Sequence, residues 1–121
     1  MKILIVDDSR TMRMIVKRTL RQAGYGGHAV DEAENGAVAL EKIMADEPDI
    51  VLCDWNMPVM TGIELLEALR AEGCRVKFGF VTSEGTPEMR AKASAGGALF
   101  LIAKPFTAFN FEEALGQHLA A

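Results

Sequence analysis

The sequence predicts an α/β fold: a doubly wound parallel sheet with helices on both faces. Three observations point there. Short apolar runs alternate with longer segments of helical period along the chain. Three of those runs, Ile3–Val6, Ile50–Cys53 and Leu99–Ile102, are continuous rather than alternating, as suits strands covered on both faces. The run Ala29–Ala33 is more polar and reads as an edge strand.

Each element can be justified in turn. Strand one is Ile3–Val6. Helix one runs from about Ser9 to Ala23, because Met12, Ile15, Val16, Leu20 and Ala23 recur on one helical face and Gly24 stops it. Strand two is Ala29–Ala33. Ala37, Leu40, Ile43 and Met44 mark a second helix, ended by Pro48. Strand three is Ile50–Cys53. Ile63, Leu66 and Leu69 mark a third helix between Gly62 and Gly73, and strand four follows at Phe78–Val81. Helix four spans about Pro87 to Ala95, with Met89 and several alanines as its apolar side chains. Each large side chain it lacks forgoes about 1.5–3 kcal/mol of burial, which predicts a mobile segment. Strand five is Leu99–Ile102, and helix five runs from about Phe109 to Leu119. With right-handed crossovers this (βα)5 series makes an open five-stranded sheet, and the weak second strand favours the flavodoxin-like order 2-1-3-4-5.

With 121 residues the chain has the size of one domain, 1–121. Apolar residues are 50% and charged residues 25%, ordinary for a globular protein and wrong for a disordered one. A net charge of −4 argues against a nucleic-acid binder, whose affinity comes from neutralising phosphates. The longest apolar run, Ala98–Ala103, is far short of a membrane span, and Met1-Lys2 leads directly into a strand rather than a signal-peptide core. The expected location is cytoplasmic. Cys53 and Cys74 lack the paired spacing of a zinc site, Cys53 reads as a small buried hydrophobe within a strand, and no disulfide is expected in a reducing compartment.

Ligands of open α/β sheets bind beyond the carboxyl ends of the strands. Asp7 and Asp8 follow strand one, Asp54 follows strand three, Thr82 and Ser83 follow strand four, and Lys104-Pro105 follows strand five. Three crowded carboxylates repel unless a cation joins them, and an oxygen-only donor set suits a hard ion such as Mg²⁺. Lys104 adds a point charge for a phosphate oxygen, and Thr82 a hydroxyl. A carboxylate nucleophile needs no base, being ionised at neutral pH. The combination predicts an aspartyl phosphate on one of the three carboxylates. Helix capping alone is the plainer reading of Asp7 and Asp8, but two acids exceed what a cap needs.

Asp7-Asp8, the block Asp54-Trp55-Asn56-Met57-Pro58 with Gly62, Val81-Thr82-Ser83-Glu84 and Lys104-Pro105-Phe106 occur in an order that resembles the receiver domains of bacterial two-component response regulators. The resemblance covers all 121 residues and leaves none for an output domain. It implies that Asp54 accepts a phosphoryl group from a histidine kinase or histidine phosphotransfer protein. It implies that Asp7, Asp8, Asp54 and the backbone carbonyl of Asn56 hold Mg²⁺, that Lys104 contacts the phosphoryl group, and that Thr82 is the switch. A cis Lys104–Pro105 bond is implied too, with Asn56 and Glu84 tuning the lifetime of the phosphoryl state. The phosphorylated state then biases the face formed by strand four, helix four, strand five and helix five toward a partner.

The blocks are most similar to single-domain chemotaxis receivers, with one departure. Leu101 stands three residues before Lys104, where that branch carries an aromatic, and strand alternation sends Phe100 to the opposite face. A phosphorelay shuttle with a non-motor target is the alternative. A Mg²⁺-dependent aspartyl-nucleophile phosphatase lacks its Asp-x-Asp mark here, since Asp7-Asp8-Ser9 does not supply it. A flavin domain of the same fold is disfavoured by two acids where a phosphate loop belongs. Arg10, Arg13, Lys17 and Arg21 share one face of helix one, which reads either as a solvated face or as a docking surface, through Arg13 and Lys17, for an acidic kinase.

Overall fold

In the computed structural model, which describes residues 1–119, five strands make one parallel sheet. They are β1 (Lys2–Val6), β2 (Ala29–Ala33), β3 (Ile50–Cys53), β4 (Lys77–Thr82) and β5 (Phe100–Ala103), in the order β2-β1-β3-β4-β5. The helices are α1 (Arg10–Leu20), α2 (Gly36–Ala45), α3 (Gly62–Ala71), α4 (Pro87–Ala95) and α5 (Ala108–Gly116). Side-chain alternation along the strands divides the core in two. Leu4, Val6, Val51, Cys53, Phe78 and Phe80 pack with α2, α3 and Ala93 of α4. Ile3, Ile5, Ile50, Leu52 and Val81 pack with Val16 and Leu20 of α1 and Phe111 and Leu115 of α5. β3, and β1 beyond Lys2, are apolar because both their faces are covered, and every residue of Ile3–Val6 and Ile50–Cys53 is buried.

Local chemistry sets the helix starts. The Ser9, Asn35, Thr61, Thr86 and Thr107 side chains each accept a backbone N–H from the first turn that follows them. α3 begins with a full capping box, in which the Glu64 carboxylate also accepts the Thr61 N–H at 2.9 Å. α1 ends at Leu20 and widens into a π-turn over Arg21–Tyr25, where Gly24 takes φ 97°. The widened turn places Ala23 and Tyr25 in the core, so the apolar periodicity continues past the end of regular helix.

Strand five differs from its reading as a strand covered on both faces. It occupies Phe100–Ala103 rather than Leu99–Ile102, only Ile102 is buried, and Leu99 lies exposed before it. β5 is the second edge of the sheet and has β4 as its one neighbour, so an apolar run here is only partly covered. α5 likewise stops at Gly116, short of Leu119.

α4 is thinly anchored, with Ala93 its one buried residue and Met89 packed at its margin. Its carboxyl end is nonetheless clasped. The Arg70 guanidinium of α3 donates to the Gly96 and Gly97 carbonyls at 3.0 and 3.3 Å, and to the Cys74 and Val76 carbonyls at 2.9 and 3.0 Å. Among the described residues no helix is long and apolar enough to cross a membrane.

Candidate functional site

The register of the sheet sets the carboxyl ends of β1, β3, β4 and β5 side by side, pairing Val6 with Cys53 and Thr82 with Ala103. The next residues, Asp7, Asp8, Asp54 and Lys104, therefore emerge at one mouth. One carboxylate oxygen from each of the three aspartates lies within 4.8 Å of the others. Lys104 Nζ stands 3.3 Å from Asp7 Oδ2 and 3.7 Å from Asp54 Oδ1. The Lys104–Pro105 peptide is cis.

Asp7 and Asp54 are buried polar residues, whereas Asp8 is exposed. Asp7 Oδ1 accepts the Ser9 N–H at 2.9 Å, while Ser9 itself caps α1. Capping thus falls to Ser9, which leaves the acids to face the mouth. The Asp54 N–H donates to the Val6 carbonyl at 2.9 Å, and its Oδ1 accepts the Trp55 N–H at 2.8 Å. Oδ2 accepts no hydrogen bond among the described residues. No buried side-chain oxygen there lacks a partner, so this oxygen reaches solvent.

Burial pushes the Asp54 carboxyl above its ordinary pKa. Lys104 and the Trp55 N–H pull it back, whereas Asp7 and Asp8 push it further. A carboxylate held near two others gains from any cation set among them. The donor set is oxygen only, which fits a hard divalent ion and not a soft one.

Around this centre Thr82 is fully buried, and its Oγ1 accepts the Glu84 N–H at 3.4 Å. The Thr82 carbonyl accepts the Lys104 N–H at 2.8 Å, linking the ends of β4 and β5. Ser83, Glu84, Asn56 and Pro105 are exposed. Asn56 Nδ2 and Glu84 Oε1 face each other at 3.5 Å. Leu101 packs against the α3 and α4 side of the core and Phe100 against the α1 and α5 side, as alternation requires.

The loop carrying Asp54 is closed by the Gly62 N–H, which donates to the Trp55 carbonyl at 2.8 Å. Trp55 is pinned beneath it against Phe80, with ring centroids 4.8 Å apart. Behind the loop the Cys53 thiol donates to the Asp54 carbonyl at 3.1 Å. Burial, with Asp54 and Asp7 beside it, raises this thiol well above its ordinary pKa, so it stays protonated and inert.

Arg13 is less open than its neighbours on the basic face. Its side chain is only 14% exposed, its Nε pairs with Glu32 Oε1 at 2.9 Å, and its Nη1 donates to the Asp7 carbonyl at 2.6 Å. It is drawn inward from the basic face, which leaves Arg10, Lys17 and Arg21 exposed. Helical spacing places Arg13 with those residues but does not register that Glu32, on the neighbouring strand, attracts it. The polar pattern of β2 was the available signal, and on its own it reads only as a sheet edge.

Comparison with known proteins agrees with this geometry. The family model of the response regulator receiver domain matches residues 3–116. Chemotaxis protein CheY-3 of Vibrio cholerae is 43% identical over 119 residues, covering 97% of this chain and 90% of that protein. Chemotaxis protein CheY of Pseudomonas aeruginosa is 43% identical over 116 residues, covering 93% and 91%. Among solved structures, CheY4 of Vibrio cholerae superposes with a TM-score of 0.85 at 35% identity over 98% of both chains. Five parallel strands in the order 2-1-3-4-5, an acid cluster at their carboxyl ends and these matches together make the chain a member of the response regulator receiver domain family, a module of phosphorylation-based signalling.

Proposed function

We propose that Asp54 is the phosphoacceptor, taking a phosphoryl group from a histidine kinase or histidine phosphotransfer protein. The observation that carries this reading is the asymmetry of the Asp54 carboxylate. Oδ1 is held by the Trp55 N–H and faces Lys104, while Oδ2 is open to solvent. In the transfer Oδ2 bonds to phosphorus as the phosphorus–nitrogen bond of the donor histidine breaks, and the electron pair leaves with the imidazole. Lys104 is set to balance negative charge on the transferred oxygens. Asp7, Asp8, Asp54 and the Asn56 carbonyl would hold Mg²⁺, which when bound supplies a further positive charge beside those oxygens.

Thr82, buried and one strand from Lys104, is the switch in this reading, with Ser83, Glu84, Leu101 and Pro105 around it. Leu101 responds through packing against the α4 side of the core rather than through ring rotation. The face built from β4, α4, β5 and α5 then binds a downstream protein. Two relatives at 43% identity bear chemotaxis names, which supports a chemotaxis pathway. The chain acts as a cytoplasmic signalling module that catalyses only its own phosphorylation and dephosphorylation. The basic face of α1, through Arg13 and Lys17, serves donor docking, with Lys17 its more exposed member.

Incubation with acetyl phosphate and Mg²⁺, read by intact mass, tests the assignment. The native chain is expected to gain one phosphoryl group, and Asp54→Ala none. A chelator is expected to abolish the gain. Modification of Asp54→Ala to the same extent would overturn the assignment.

A further inference from the structure

We propose that Arg13 is a positioning residue for the acidic site, bracing the Asp7–Asp8 peptide from β2. The inference rests on the reading of this cluster as a Mg²⁺ site. Asp7 is the last fixed point before the exposed Asp8. Its N–H donates to the Ala33 carbonyl at 3.1 Å, its Oδ1 accepts the Ser9 N–H, its Oδ2 faces Lys104, and its carbonyl accepts Arg13 Nη1 at 2.6 Å. That carbonyl belongs to the peptide joining Asp7 to Asp8. Because the peptide is planar, fixing its oxygen fixes the direction in which the Asp8 Cα leaves β1. The Asp8 carboxylate has no hydrogen bond among the described residues, so its aim depends on this backbone.

The guanidinium is held in turn. Its Nε pairs with Glu32 Oε1 at 2.9 Å, and Glu32 lies on β2 in register with Ile5. A planar fork spanning two acceptors is a task for arginine, since a lysine ammonium cannot offer the same fixed pair of donors. Glu32 also offsets the positive charge that Arg13 brings toward a cation site. The polar edge strand, which sends no side chain of its own to the mouth, thus reaches it through one intermediary.

Electrostatics alone predicts the opposite outcome, and this makes the proposal testable. If Arg13 acted only as a positive charge near the acids, removing it would tighten Mg²⁺ binding. If it positions Asp8, removing it weakens binding, and groups that orient metal ligands typically cost about 10–100-fold in affinity when lost. The experiment is calorimetric titration of Mg²⁺ into the native chain, Arg13→Met and Arg13→Lys, each first shown to be folded by circular dichroism. Arg13→Met is expected to weaken binding by about tenfold. Arg13→Lys, which keeps the charge and reaches one acceptor, is expected to fall between it and the native chain. Phosphorylation by acetyl phosphate at subsaturating Mg²⁺ should slow in the same order and recover at saturating Mg²⁺. Equal affinities for all three chains, or tighter binding by Arg13→Met, would overturn the proposal while leaving the metal site intact. A native chain that takes up no Mg²⁺ would instead refute the site reading on which it rests. If Arg13→Met does not fold, Arg13→Lys decides: affinity equal to the native chain's sinks the positioning role.

Discussion

Replacing Lys104 with methionine is expected to slow phosphorylation by acetyl phosphate by about 10²–10³-fold, the usual cost of losing one group that stabilises negative charge developing in the transition state. Methionine keeps most of the stem, so packing is largely preserved and the ammonium is what disappears. That ammonium stands 3.7 Å from Asp54 Oδ1 and 3.3 Å from Asp7 Oδ2. A stopped assay by intact mass at fixed Mg²⁺ checks the result, and an unchanged rate would remove Lys104 from the reacting site.

The same substitution changes the pH dependence of stability. Lys104 pulls the Asp54 carboxyl down while burial pushes it up, so its loss raises the folded-state pKa further. Below the ordinary aspartate pKa, Asp54 is protonated in both the folded and the unfolded chain. As pH rises, the unfolded chain ionises first, and the fold loses stability until the folded carboxyl has ionised too. The variant extends that window upward. Without metal, its deficit in Tm relative to the native chain is expected to grow as pH rises above the ordinary aspartate range.

Gly62→Ala is expected to cost about 3 kcal/mol of stability. A Cβ at this position would meet the Asp54 carbonyl oxygen at 2.2 Å and Phe80 Cε1 at 2.9 Å. The first obstacle is backbone at the end of β3 and cannot rotate away. The second is a fully buried ring packed between Trp55 and Phe78. Relief requires the loop from Trp55 to Thr61 to lift, which also breaks the Gly62 N–H bond to the Trp55 carbonyl. Thermal denaturation should show Tm lowered by about 10 °C. A shift within about 1 °C would mean that the loop gives without cost.

Much of this molecule is legible in the chain. The continuous runs Ile3–Val6 and Ile50–Cys53 announce central strands, because burial on both faces leaves no room for alternation. Asp7 and Asp54 follow those runs directly, Asp8 comes one residue after Asp7, Lys104 follows the run of β5, and a parallel sheet aligns those ends whatever the loops do. Edges are less legible. The run at Leu99–Phe100–Leu101–Ile102 is as apolar as the central ones, yet β5 has one neighbour and stays partly open. Side chains that cross between elements are least legible of all. Arg13 sits on a regular basic face of α1, and its inward turn depends on a carboxylate nineteen residues away. Gly62 marks the start of a helix in the sequence, but its close approach to Asp54 appears only once β3 and α3 are packed.

The Arg70 clasp carries a mechanical consequence. One guanidinium closes the turns after α3 and after α4 together, so neither can open without loosening the other. α4 is thus tethered at Gly96 and Gly97, while Thr86, Pro87 and Glu88 at its start are exposed and the Arg90 side chain donates to the Gly85 carbonyl within the same segment. The fixed end of α4 is therefore the one farther from the sheet's mouth. Its less anchored start lies in chain next to Thr82 and Glu84, so hydrogen exchange is expected to be faster at Met89 and Arg90 than at Ala95 and Gly96.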